Sequence, residues 1–268
     1  MPVEPMPAEL RRERLARLVA ELGFLRVADA ALELAVSAVT VRADLAALEG
    51  EGRVRRVHGG AMPLSPGERE SSVERSAERD AALKRAIGRR AAGLVESGSS
   101  ILLDVGSTPL AVAHALVDRA QRGELSEVTV VTNGLSTALA LEPAIPRLTV
   151  VVTGGTLRPL QHSLVSPVAL TVLEGLHVDL AIIGGNGVDA RGRVTNVNLP
   201  EAEVKRAMLA SAGAGVLVAD ASKFGATHLG RIGELADFAT LVTAGPPGEH
   251  HEAVLAAAAA AGTRILAA

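Results

Sequence analysis

Cysteine is absent from the 268 residues, which excludes disulfides, thiolate metal sites and cysteine nucleophiles at once. Tryptophan and tyrosine are absent as well, and only three phenylalanines remain. Modules that grip single strands or RNA by stacking bases on aromatic rings therefore have almost nothing to work with. No apolar run reaches the roughly 18 residues of a membrane span, so no membrane partner is expected. The stretch from Met1 to Leu10 carries acids and prolines where a secretory leader has a cationic end and an apolar run, and the expected location is the cytoplasm. The seven histidines suggest no metal site. His250 and His251 adjoin a glycine-proline turn and the others are scattered, without the paired helical spacing of a zinc enzyme. No metal or other cofactor is expected.

What is present is a globular composition, 48% hydrophobic and 21% charged, in a chain long enough for a small and a medium domain. The net charge of -3 does not advertise a nucleic-acid partner, so any case for one must be local. Residues 8–22 place Leu15, Leu18, Val19 and Leu22 on one helical face, and Gly23 follows as a stop. A short helix is expected from about Asp29 to Ala35. A third starts at Ser37, a good N-cap, with Val41, Leu45 and Leu48 facing inward and Gly52 as its end. Three short helices with tight connections describe a helix-turn-helix. The stretch from Arg53 to Gly60 suits a basic β-wing.

In this reading Ser37, Val39, Thr40 and Arg42 lie at the end of the third helix that such a fold presents to the major groove. Arg53, Arg55, Arg56 and His58 would follow phosphates from the wing. Arginines and acids balance over residues 1–62, but the wing cluster meets no acid until Glu68. A helical bundle used for protein contacts, with its arginines merely solvated, stays open as the plainer alternative.

Residues 63–77, rich in Pro, Gly, Ser and Glu, read as a linker, which gives domains at 1–62 and 78–268. Beyond a helix from about Glu78 to Val95 come apolar runs at Ile101 to Leu103, Val128 to Val131, Leu148 to Val152, Val178 to Ile183 and Gly215 to Ala219, with helical patterns between them. Strands apolar on both faces and alternating with helices imply an α/β domain built on a mostly parallel sheet. Small polar residues and glycines lie just past the strand ends: Asp104, Gly106, Ser107 and Thr108; Thr132 and Asn133; Gly154 and Gly155; Gly184 to Gly187; Asp220 to Lys223. In an open parallel sheet those ends share one crevice, where ligands bind. Asp104 suits a sugar hydroxyl, with a phosphate resting on the helix that Ser107 and Thr108 open. Lys205 and Lys223 are the cations placed near such an anion. For Glu201 and Lys205 an ordinary i, i+4 surface ion pair is the plainer reading, and for Thr153 to Gly155 a plain turn is.

The run Ser37-Ala-Val-Thr-Val-Arg-Ala-Asp-Leu-Ala-Ala-Leu-Glu49, then Gly52 and Arg56-Val-His-Gly-Gly-Ala61, closely resembles the helix-turn-helix signature of the DeoR family of bacterial regulators. Ala43 stands where the family commonly has a second Arg. Residues 75–243 resemble the DeoR sensor domain in Asp104-x-Gly-Ser-Thr108, Thr132-Asn133, Gly154-Gly155, Glu201-x-x-x-Lys205 and Asp220-x-Ser-Lys223, with Ser166 in place of a frequent glycine before Pro167. The resemblance implies a winged helix-turn-helix followed by a domain similar to ribose-5-phosphate isomerase. It also implies a homo-oligomer that binds operator DNA and responds to a phosphorylated sugar or related intermediate, usually by relief of repression. The expected function is thus a metabolite-responsive repressor of a carbohydrate or related operon. The competing readings are an activator, or a sugar-phosphate isomerase or deaminase with an accessory N-terminal module.

Overall fold

The computed structural model describes residues 6–50, 53–63 and 72–268, and the chain divides into two compact units, Met1–Ser71 and Ser72–Ala268. In the first unit, α1 (Ala8–Leu22), β1 (Leu25–Arg26), α2 (Val27–Glu33) and α3 (Ala38–Gly50) are followed by β2 (Val54–Val57) and β3 (Gly60–Pro63). Leu15 and Val19 of α1 and Val41, Leu45 and Leu48 of α3 are buried together in one core. Leu22, placed on that face by its periodicity, is instead 61% exposed, because Gly23 takes a left-handed φ of 72° and turns the chain away within the same helical turn. The short helix α2 begins at Val27 rather than Asp29. Gly52, the expected end of the third helix, lies outside the described residues.

The strands form an antiparallel sheet in the order β1-β3-β2. At the tip His58 and Gly59 turn the chain, with Gly59 at φ 81°. A Cβ on Gly60 would stand 2.3 Å from the Leu25 carbonyl oxygen, so only glycine lets β3 approach β1 this closely.

The second unit begins with α4 (Val73–Glu78), which corrects the far end of the expected linker over 63–77; residues 64–71 lie outside those described. Six residues are too few to show a helical period. Their helix rests on a Ser72 cap that accepts the Arg75 N–H at 3.4 Å and on buried Val73. The helix expected from Glu78 begins only at Ala81, after Asp80 breaks the chain at φ 53°, giving α5 (Ala81–Ala92). Then follow β4 (Ser100–Leu103), α6 (Ser107–Gln121), β5 (Val128–Thr132), α7 (Leu135–Leu141), β6 (Leu148–Val152), β7 (Thr156–Arg158), β8 (Ser163–Val165), α8 (Val168–Glu174), β9 (Val178–Gly184), β10 (Gly187–Val188), β11 (Arg193–Asn196), α9 (Leu199–Ala210), β12 (Ala212–Val218), β13 (Gly230–Glu234), β14 (Thr240–Thr243), α10 (His251–Ala260) and β15 (Arg264–Ala267).

Seven strands make one sheet in the order β15-β14-β12-β9-β4-β5-β6, and every pairing within it is parallel. Both faces are covered, as the continuous apolar runs require. Ile101, Leu103, Val128 and Val130 pack against α5 and α6 in one core. Leu102, Val131, Ala181 and Ile183 pack with α8, α9 and α10 in the other. The chain runs outward from β4 to β6 and then returns to β9 on the other side of β4, so the topological switch point lies between β4 and β9. A smaller antiparallel sheet, β10-β11-β13, and the hairpin β7-β8 complete the unit. Among the described residues no helix is long and apolar enough to cross a membrane.

Candidate functional site

Parallel strands deliver all their carboxyl ends to one edge, and at the switch point two loops meet there through a buried ion pair. The Lys205 ammonium, carried by α9, donates to Asp104 Oδ2 just past β4, and to the Gly184 carbonyl oxygen at the end of β9 at 3.2 Å. Asp104 Oδ2 also accepts the Gly184 N–H at 2.9 Å. Lys205 therefore pairs with Asp104 and not with Glu201, which corrects the surface-pair alternative. Neither partner exposes more than 4% of its side chain. Burial pushes the Asp104 carboxyl above its ordinary range, with Lys205 and the Gly184 N–H opposing it.

The other oxygen, Asp104 Oδ1, is buried with no hydrogen-bond partner, and so is Asn133 Oδ1 in the loop after β5. The Asn133 amide nitrogen is occupied by the Leu164 carbonyl at 3.3 Å. Two buried acceptors without donors are expensive unless a ligand supplies the protons. Nearby, α6 starts at Ser107 and Thr108 behind Gly106, whose φ of 122° admits little but glycine, and no side chain caps this helix. Open N–H groups at the start of a long helix attract an anion.

The remaining expected ligands are tied up to differing degrees. The Thr132 hydroxyl accepts the Gly134 N–H at 3.1 Å and so braces its own loop. Gly154 and Gly155 have positive φ, and a Cβ on Gly155 would stand 2.3 Å from the Val165 carbonyl oxygen; they let β8 lie close against the loop after β6. Glu201 is a hub. Its carboxylate accepts from Arg158 of β7, from Ser163 of β8 at 2.5 Å and from Asn196 of β11 at 3.2 Å. These protein donors account for much of its capacity. The Lys223 backbone N–H donates to the Asp220 carbonyl at 3.0 Å, while its half-buried ammonium makes no hydrogen bond or ion pair among the described residues.

One cation at this edge escapes a reading based on strand-end loops. Lys84, in the first turn of α5, is 3% exposed and donates to the carbonyl oxygens of Ser76 and Arg79. Burial holds its ammonium below the ordinary lysine range, while Asp220 at the end of β12 pulls the other way. Asp220 Oδ2 is itself buried and unpartnered. The sequence does hold a signal for Lys84. The chain has only three lysines, at 84, 205 and 223, among 27 cationic residues. Arginine serves everywhere else, whereas lysine is a compact point charge on a flexible stem whose pKa shifts readily on burial.

In the first unit Ser37 is the N-cap of α3, its Oγ accepting the Thr40 N–H at 3.1 Å and lying 2.9 Å from the Thr40 hydroxyl. Val39 is 72% exposed, and Arg42 is exposed without an ion-pair partner among the described residues. Arg55, Arg56 and His58 are exposed on the hairpin. Arg53 is committed elsewhere, to a two-pronged contact with Glu13 of α1 at 2.8 and 2.9 Å, and Arg56 reaches Glu49 at 3.7 Å. Asp44, on the inner side of α3, is the residue periodicity missed. It is 3% exposed and accepts from Arg11 at 2.5 Å and Arg12 at 3.2 Å, so it moors α1 to α3.

Among the described residues no group of three or more His, Asp and Glu could hold a metal ion. Residues 11–66 match the family model of the DeoR-like helix-turn-helix domain, and residues 79–244 that of the DeoR C terminal sensor domain. The chain is 32% identical, over 90% of its length and 91% of the relative's, to the glycerol-3-phosphate regulon repressor of Haemophilus influenzae. It is likewise 32% identical, over 83% and 81%, to the putative aga operon transcriptional repressor of Escherichia coli O157:H7. Among solved structures it is similar to D-ribose-5-phosphate isomerase in complex with phospho-erythronic acid, at a TM-score of 0.42 and 17% identity over 54% of each chain.

Proposed function

The chain belongs to the DeoR family of DNA-binding transcriptional regulators, and from that premise we propose that it represses a carbohydrate or related operon under the control of a phosphorylated polyol or sugar. Its relatives are regulators and not enzymes, and the pairing of Asp104 with Lys205 leaves that carboxylate engaged where proton transfer would need it free.

The observation that carries the effector reading is the pair of buried, donorless oxygens, Asp104 Oδ1 and Asn133 Oδ1, beside the uncapped start of α6. The phosphate rests on the N–H groups at Ser107 and Thr108, and the hydroxyls of the same molecule donate to the two oxygens. Gly106, Thr132, Gly154, Gly155 and Glu201 shape the loops, while Lys223 and Lys205 set the charge. On the DNA side, Val39, Thr40 and Arg42 of the capped α3 enter the major groove, with Ser37 near a phosphate, and Arg55, Arg56 and His58 follow the backbone. Arg53 contributes there only on release from Glu13. One winged module has a small footprint, so the acting form is a homo-oligomer that reads two half-sites in the cytoplasm.

Fluorescence anisotropy on a duplex from the gene's own promoter tests this. Binding is expected to be specific, to weaken steeply with salt, and to be relieved by glycerol 3-phosphate or a sugar phosphate. Relief by an unphosphorylated polyol at equal concentration would overturn the effector assignment.

A further inference from the structure

The six residues of α4 have no helical stability of their own, and their last carbonyls need donors from outside the helix. Lys84 supplies two, to Ser76 and Arg79. At its other end α4 is held by the Val73 N–H on the Leu160 carbonyl at 2.9 Å and by Glu74 beside His162 at 3.4 Å. In the chain, α4 is the first described element after the DNA-binding unit.

The same ammonium borders a cleft between α5 and α6 that reaches the candidate site at Ser107. Lys84, Ala77 of α4 and Ser107 at the start of α6 line this cleft of about 480 Å³, and the charges of Asp220, which has an unpartnered oxygen, and of Asp80 both reach Lys84. The ammonium is thus buried on two neutral carbonyls within reach of a place where an anion is expected. A lysine stem has the freedom to exchange one set of acceptors for another.

We propose that Lys84 couples effector to operator: an anion seated at the start of α6 draws its ammonium from the carbonyls of Ser76 and Arg79 and so releases α4. This rests on the effector reading above. Lys84 is a positioning residue, whose two bonds hold the end of α4.

The test uses the full-length chain. In ligand-free Lys84→Met, amide exchange over residues 73–79 is expected to be at least tenfold faster, with exchange in α6 unchanged and operator affinity at least tenfold weaker. Wild-type exchange over those residues, or operator affinity within twofold of wild type, overturns the proposal. If Lys84→Met does not fold, the wild type decides. With only three lysines, 13C-labelled lysine gives three side-chain NMR signals, assigned by Lys84→Arg and Lys223→Arg. Saturating inorganic phosphate or glycerol 3-phosphate is expected to move the Lys84 signal and speed exchange over 73–79. A shift at Lys223 alone, with α4 exchange unaltered, overturns the coupling. Silence at all three signals defeats the effector reading instead, and the ligand-free comparison of Lys84→Met, or of Lys84→Gln should Met not fold, still settles the hold on α4.

Discussion

Asp104 and Lys205 are 101 positions apart in the chain, yet they form an ion pair closed to water at the point where the sheet changes direction. Removing one member strands the other's charge in the interior, which costs far more than the pair itself contributes. Lys205→Met is expected to lower unfolding stability by about 3–5 kcal/mol in chemical denaturation. The double variant Asp104→Asn/Lys205→Met should lose markedly less than the sum of the two single changes. Simple additivity would mean that the two groups do not act as a pair.

Asp44 does for the first unit what that pair does for the second. Asp44→Ala leaves Arg11 and Arg12 without their shared acceptor, and a loss of roughly 1–3 kcal/mol is expected. Operator affinity should fall with it, because α1 no longer fixes α3. A variant of unchanged stability but weakened binding would point to direct DNA contact instead.

Val39 and Arg42 present the opposite case. Both are exposed, so Val39→Ala and Arg42→Ala are expected to leave stability within about 0.5 kcal/mol. Val39→Ala should weaken binding to the operator more than to unrelated duplexes. If Arg42 holds a phosphate, Arg42→Ala lowers the slope of log affinity against log salt by about 1; if it reads a base, it relaxes preference at one position. Wild-type titrations for both variants would remove α3 from the interface.

His228, half-buried near the crevice, has its imidazole held below the ordinary value by burial, with Lys223 acting in the same direction and a hydrogen bond to the Asn186 backbone opposing. The unfolded chain therefore binds this proton more tightly than the folded one. The stability is fully present above about pH 6.5 and is lost as pH falls through the lower, folded value. The melting temperature of the wild type should thus drop more steeply below about pH 6.5 than that of His228→Gln. Parallel curves would exclude the histidine as the source.

The central strands are legible in the sequence because burial on both faces leaves continuous apolar runs such as Ile101 to Leu103. The small sheet β10-β11-β13 and the hairpin β7-β8 are not, because their strands are only two to five residues long, too short to show a strand period. The short helix α4 likewise has no period to reveal it. At the site, Asp104, Ser107 and Thr108 stand out as strand-end residues, but what Glu201 and Lys205 touch is not legible. Spacing four apart on one helix cannot show that one turns to Arg158 and the other to Asp104. Asp44 hides for a similar reason. A single acid on an inward face looks like a pattern error until two arginines from another helix reach it.

Asp104 is approached from both layers of the second unit, since α6 grows out of its loop on one face of the sheet and Lys205 arrives from α9 on the other. A guest that bonds to its spare oxygen therefore acts as a rivet between α6 and α9 across the sheet, and occupancy would register as slower melting of those two helices together, whichever metabolite fills the seat.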